Sequence, residues 1–194
     1  MEIQRIVNAD KFFNSNTYIV KSNGECIVID PVDADKIIAN TQGLKIVGVL
    51  VTHGHFDHCY GARAMQKLGY PIYMSPLDAC KGMIDLAKEF ASDFEPFDID
   101  VPISEGEYKI GEFDVKVLNT SGHSKGSVVY IIGGVMFTGD TLFRGAYGRY
   151  DLFGGSFSML RQSLRKLFTL DDMTIYPGHN ESSTLFEEKK HFFR

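Results

Sequence analysis

Thr52-His53-Gly54-His55-Phe56-Asp57-His58 is the stretch from which the rest of this chain can be read. Three imidazoles and a carboxylate stand together directly after the apolar run Ile46 to Val51. Those are the donors that zinc, iron or manganese accept, and a chance His-x-His-x-Asp-His is rare in a chain with only 6 histidines. Two further histidines lie in Ser121-Gly122-His123 and Tyr176-Pro177-Gly178-His179, and Gly139-Asp140-Thr141 adds a second carboxylate. His191 has no motif around it and reads as a surface residue of a terminal helix.

Outward from the motif, the order of elements follows from pattern. Ile46 to Val51 is continuous and β-branched, as a strand buried on both faces requires. Before it, Ile3 to Val7, Thr17 to Lys21 and Cys26 to Ile29 predict an antiparallel meander, with Ser22-Asn23-Gly24 as its hairpin turn. Asp33 to Ala39 predicts a helix. After the motif, a helix is predicted from Asp57 to Leu68, stopped by Gly69, and a second over Pro76 to Phe90. Ser92 to Pro102, acidic and Pro-containing, reads as a loop. Strands return at Tyr108 to Ile110, Phe113 to Leu118, Val128 to Ile132 and Val135 to Thr138. Ser156 to Leu167 has apolar residues every three or four positions with Ser156 as N-cap. A last strand, Thr174 to Tyr176, leads to His179, and a helix is expected over Glu181 to Phe193. Each histidine segment therefore falls where a strand stops, which is where a sheet scaffold carries its chemistry. The expectation is one α/β sandwich domain spanning 1–194, with the site along one edge.

Composition narrows the partners. With 20 basic against 25 acidic residues the net charge is -5, so nucleic acid is an unfavourable partner and a small molecule the expected one. Cys26, Cys59 and Cys80 share no CxxC spacing, which predicts reduced thiols in a cytoplasm. No run of about 18 apolar residues occurs, and Glu2 interrupts any leader, so neither a membrane span nor a secretory signal is expected.

Seven side chains are available as ligands: His53, His55, Asp57, His58, His123, Asp140 and His179. That exceeds what one open catalytic ion needs and suits two divalent ions sharing a carboxylate and a hydroxide. Zinc is the first expectation, with iron or manganese as substitutes.

Thr52 to His58 resembles the Thr-His-x-His-x-Asp-His signature of the metallo-β-lactamase fold superfamily, and the resemblance runs over nearly the whole chain. It implies a four-layer αββα sandwich of two mainly antiparallel sheets. It also implies that His53, His55 and His123 hold one ion, that Asp57, His58 and His179 hold the other, and that Asp140 bridges. Asp57 and Asp140, with a metal-bound hydroxide, are then the catalytic groups. An aspartate at 140 and a histidine at 58 disfavour antibiotic hydrolysis. Gly139-Asp140-Thr141-Leu142-Phe143, Gly148-Arg149-Tyr150-Asp151 and Gly154-Gly155 are similar to the glyoxalase II group, in a short form without that group's C-terminal helical region. The resemblance implies hydrolysis of a small thioester or ester, hydroxyacylglutathione-like. The alternatives are a mononuclear iron persulfide dioxygenase using His53, His123 and Asp140, and a metal-carrying redox or binding module.

Lesser features have ordinary readings. Cys59 is expected to be a small buried residue rather than a reactive thiol. Arg149 is expected to pair with Asp151. Phe12, Phe13 and Tyr18 are read as core before pocket wall. Lys125, Arg144, Tyr147, Arg149, Lys189, Lys190 and Arg194 are candidate anion contacts. Gly54 and Gly122 are read as backbone freedom beside ligands.

Overall fold

The computed structural model describes residues 1–192; Phe193 and Arg194, the latter one of the candidate anion contacts, lie outside the described residues. The first half runs β1 (Glu2–Val7), β2 (Asn16–Ser22), β3 (Glu25–Ile29), α1 (Ala34–Asn40), β4 (Lys45–Leu50), α2 (Phe56–Cys59), α3 (Ala62–Lys67), β5 (Ile72–Met74), α4 (Lys81–Phe90) and β6 (Val101–Pro102). The second runs β7 (Gly106–Ile110), β8 (Phe113–Asn119), β9 (Val128–Ile132), β10 (Val135–Gly139), β11 (Leu142–Phe143), β12 (Ala146–Tyr147), α5 (Phe157–Leu167), β13 (Thr174–Pro177), β14 (Ser183–Thr184) and α6 (Leu185–Phe192).

Strands β1 to β6 pair in chain order in one sheet, and the other has the order β14-β13-β10-β9-β8-β7. The second sheet is mainly antiparallel, with one parallel pairing between β10 and β13. The first is mixed. Its opening meander β1 to β3 is antiparallel, but β3, β4, β5 and β6 pair in parallel because helical crossovers return the chain to the same end each time. The expectation of mainly antiparallel sheets missed that.

Alternation along the strands builds the layers. Tyr18 and Val20 of β2 and Ile27 and Ile29 of β3 face Val115, Val117, Val128, Tyr130 and Phe137 of the other sheet, forming a core between the two sheets. Their neighbours Ile19 and Val28 point the other way, onto Ile37 of α1, Ala62 and Met65 of α3 and Ala87 of α4. On the far side Val129, Met136 and Ile175 pack beneath Leu160, Leu164 and Leu167 of α5. The result is helix, sheet, sheet, helix.

The helix expected from Asp57 to Leu68 is two pieces, α2 and α3, broken at Tyr60 and Gly61. Gly61 presses on the loop after β3: its N–H donates to the Pro31 carbonyl at 2.9 Å, and a Cβ there would lie 2.7 Å from the Val32 oxygen. The helix expected over Pro76 to Phe90 is a 3-10 turn, Pro76–Asp78, followed by α4. Ser156 caps α5 as expected, whereas the terminal helix begins at Leu185, after the short strand β14. Among the described residues no helix is long and apolar enough to cross a membrane.

Candidate metal centre

Four strand ends converge on one edge of the sandwich. β4 delivers Thr52 to His58, β8 delivers His123, β10 delivers Asp140 and β13 delivers His179. All seven predicted ligands meet there, six of them buried and His179 with 17 % of its side chain exposed. Their donor atoms fall into three groupings: His53, His55 and His123; His53, His58 and Asp140; and Asp57, His58 and His179. His191 is exposed on α6, outside all of them.

The imidazole orientations follow from what ties their outer nitrogens. Nδ1 of His53 meets Thr52 Oγ1 at 3.0 Å, that of His58 meets Asp30 Oδ2 at 2.9 Å, that of His123 meets the Arg149 carbonyl at 2.7 Å, and that of His179 meets the Phe13 carbonyl at 3.1 Å. Each tie turns Nε2 inward, as a carboxylate or carbonyl behind a ligating histidine does. His55 is reversed, with Nδ1 2.8 Å from His123 Nε2 and a buried Nε2 that has no partner.

Inside the cluster, nitrogen faces nitrogen. His123 Nε2 is 3.1 Å from His53 Nε2, and His58 Nε2 is 3.2 Å from His179 Nε2. Between neutral imidazoles such contacts can hold at most one proton each, so a cation satisfies them better than hydrogen bonds do. Asp140 lies across the cluster. Its Oδ1 is 3.3 Å from His58 Nε2, and its Oδ2 is 3.5 Å from His123 Nε2 and 3.4 Å from His179 Nε2. Oδ1 is buried without hydrogen-bond geometry to any partner. Converging lone pairs, an orphaned carboxylate oxygen and tied outer nitrogens fit divalent metal.

Electrostatics divides the site. Burial, reinforced by His58, His123 and His55, holds His53 neutral well below the usual histidine range. Burial and the neighbouring His123 push His55 down to about 3. For His58 burial acts downward, but the carboxylates of Asp140, Asp57 and Asp30 outweigh it and lift the group to about 9. Asp140 and Asp57 likewise overcome burial at His179 and raise it to about 11. Burial opposes ionisation of both carboxylates, yet His58 and His179 keep Asp57 low, and with His123 they keep Asp140 well below the usual carboxylate range.

Two buried aspartates carry the scaffold, and sequence reading missed both. Asp30 accepts from the Thr52 backbone N–H at 2.7 Å and its hydroxyl at 2.8 Å besides meeting His58. It sits at φ 53°, an αL position that aspartate tolerates better than most side chains. Asp78 accepts from the N–H groups of Gly54 and Gly126 and from the Ser124 hydroxyl, joining the loops that carry His55 and His123. A lone aspartate after a strand is the only local signal either one leaves.

Above the cluster opens a cavity of about 300 Å³, bordered by His55, Asp57, His123, Asp140 and His179. Phe13 borders it, whereas Phe12 and Tyr18 are core. Arg149 reaches it while its guanidinium pairs through two bonds with Asp151, as expected. Arg144 lines a different groove, with Glu188 and His191. Cys59 is buried, its thiol donates to the His55 carbonyl, and burial pushes it well above the usual range, so it is no reactive thiol.

The metallo-beta-lactamase superfamily model matches residues 10–179, and the chain belongs to that superfamily. It is 33% identical to a probable metallo-hydrolase of Bacillus subtilis, YqgX, over 90% of this chain and 89% of that protein. It is 34% identical to a hydroxyacylglutathione hydrolase of Hahella chejuensis, over 86% of this chain but 62% of the relative. Among solved structures, that of the B3 metallo-beta-lactamase BLEG-1 superposes with a TM-score of 0.87 at 27% identity, covering 98% of this chain and 97% of the other. TTHA1623 in a di-iron-bound form gives a TM-score of 0.84 at 33% identity, covering 97% and 98%.

Proposed function

We propose that this chain is a dinuclear metallo-hydrolase that cleaves a small thioester or ester. The observation that carries the reading is Asp140, whose two oxygens lie within 3.5 Å of nitrogens from both halves of the cluster, which supports a carboxylate shared by two ions. On this reading His53, His55 and His123 would hold one ion, Asp57, His58 and His179 would hold the other, and Asp140 would be shared. The iron-oxygenase triad of His53, His123 and Asp140 spans two of the groupings instead of forming one. The di-iron-bound neighbour supports a two-ion centre and leaves zinc, iron and manganese as the metals to test. The hydroxyacylglutathione hydrolase relative supports a thioester as the first substrate class.

Bound divalent ions supply a water acidified from about 15.7 to about 7 and a Lewis acid for the carbonyl. The protein's own groups do the rest. Thr52, Asp30, Arg149 and Phe13 hold four imidazoles in fixed orientation, so little reorganisation accompanies charge development. Asp57, buried beside His58 and His179, is ionised and borders the cavity, where it can orient an attacking water. A thiolate leaves without strong general-acid help, which suits a cavity bordered, among the described residues, by no acid outside the ligand set.

Metal analysis joined to turnover tests the reading. Two ions per chain with thioester hydrolysis are expected. One iron per chain with oxygen consumed on a persulfide would overturn it.

A further inference from the structure

We propose that one arm of the substrate is apolar, an aromatic or branched aliphatic group seated against Phe13 and Phe90, which the buried Phe56 backs, beside the scissile carbonyl; this rests on the hydrolase reading above. The three rings form a corner. Phe56 and Phe90 stack at 5.6 Å with an interplanar angle of 3°, and Phe13 stands edge-on to both, at 5.7 Å and 6.1 Å. Phe13 and Phe90 are 55 % and 49 % exposed, so apolar ring surface faces the opening where water would otherwise sit. Leu86 and Leu152 extend the same lining.

The corner is built into the centre. Phe13 occupies φ 53°, an unusual conformation for a bulky residue, and its carbonyl there accepts from His179 Nδ1. Phe56 lies inside the ligand motif itself, between His55 and Asp57. An apolar group in the corner therefore shares one cavity with His55, Asp57, His123, Asp140 and His179.

The polar inventory points the same way. Apart from predicted ligands, Arg149 is the only charged residue among the described lining, and Asp151 already engages it through two bonds. A glutathionyl group brings two carboxylates and an ammonium, and this lining has no free complement for them. An apolar arm needs none. Pockets that select by shape and apolar surface, with few polar contacts, have this composition.

Two substrate series on metal-loaded protein test the proposal. The first varies the acyl group on one short thiol through acetyl, lactoyl, isovaleryl and phenylacetyl. The second keeps acetyl and varies the thiol from mercaptoethanol to benzyl mercaptan and glutathione. The apolar member should exceed the small or polar ones in kcat/KM by about tenfold or more in one series, which identifies the acyl or the thiol side as the apolar arm. Phe90→Ser, at a half-exposed ring, should bring that ratio towards one. A ratio within about twofold in both series, or a preference for lactoyl or glutathione, overturns the proposal and leaves the hydrolase reading intact.

A binding measurement separates the two claims. Phenylacetate should bind the purified protein more tightly than lactate, and Phe90→Ser should abolish the difference. If no thioester or ester turns over while that preference holds, the hydrolase reading falls and the apolar site stands. Equal binding of the two acids overturns the apolar site.

Discussion

The two halves of the metal centre are built mainly from histidine and hold it in different charge states. His53 and His55 sit among other imidazoles and away from water, so both are neutral with lone pairs free for an ion. His58 and His179 sit against Asp57 and Asp140, whose carboxylates favour the protonated form and raise them to about 9 and about 11. Burial acts downward on all four. What separates them is that carboxylates outweigh burial at His58 and His179, with oxygens 2.9 to 3.6 Å from their ring nitrogens, whereas neighbouring imidazoles add to it at His53 and His55.

Asp140→Ala removes the group common to both halves and should have the largest effect. Metal content should fall below two ions per chain and turnover by about 10³-fold, read by elemental analysis and single-substrate kinetics. His191→Ala is the matching control and should change neither. If Asp140→Ala kept both ions and normal hydrolysis, the two halves would not be joined through this residue.

Asp30→Asn should act on one half alone. It keeps a side chain suited to the αL backbone but weakens the tie to His58, costing about 10- to 100-fold in affinity for the ion at the carboxylate-rich half. Competition with a chelator measures this. Equal weakening at both positions would mean that Asp30 supports the loop as a whole.

Loading the halves at pH 7 should release different numbers of protons. The three-histidine half should release none from His53 or His55, while the other should release those of His58 and His179. Titration calorimetry in two buffers of different ionisation enthalpy reads the difference. Equal release from both would mean that the two halves hold their histidines in the same protonation state.

Stability of the metal-free protein gives the smallest and most graded test. His58 and His179 have raised values, so their stabilisation is complete below about 6.5 and lost as pH rises through about 9 and about 11. His53 and His55 have lowered values; the unfolded chain takes up protons below about 6.5 that the native site refuses, so stability also falls towards acid. Urea midpoints should peak near pH 6.5. His58→Gln should flatten the alkaline limb, and His55→Gln the acid limb.

Much of this was readable along the chain because it was local. Strands β8, β9, β10 and β13 announce themselves by β-branched runs, α5 by its three-and-four spacing and Ser156 cap, and the candidate metal donors by their clustering. What escaped was short or depended on distant contact. β5 has three residues and β6 and β14 two each, too few to show a period. The helix after the motif breaks at Gly61 because of where the loop after β3 passes, which nothing near Gly61 announces.

The sequence by itself determined the candidate donors, their positions at strand ends and the layered α/β sandwich, because ligand chemistry and hydrophobic period are properties of adjacent residues. Only the tertiary structure decided which nitrogens face each other, that Asp30 and Asp78 hold the loops, and that Phe13 rather than Phe12 meets the cavity. It also decided which histidines are neutral and which are charged. Those facts depend on distances between groups far apart in the chain, and a pKa responds to the nearest charge in space, wherever that charge lies in sequence.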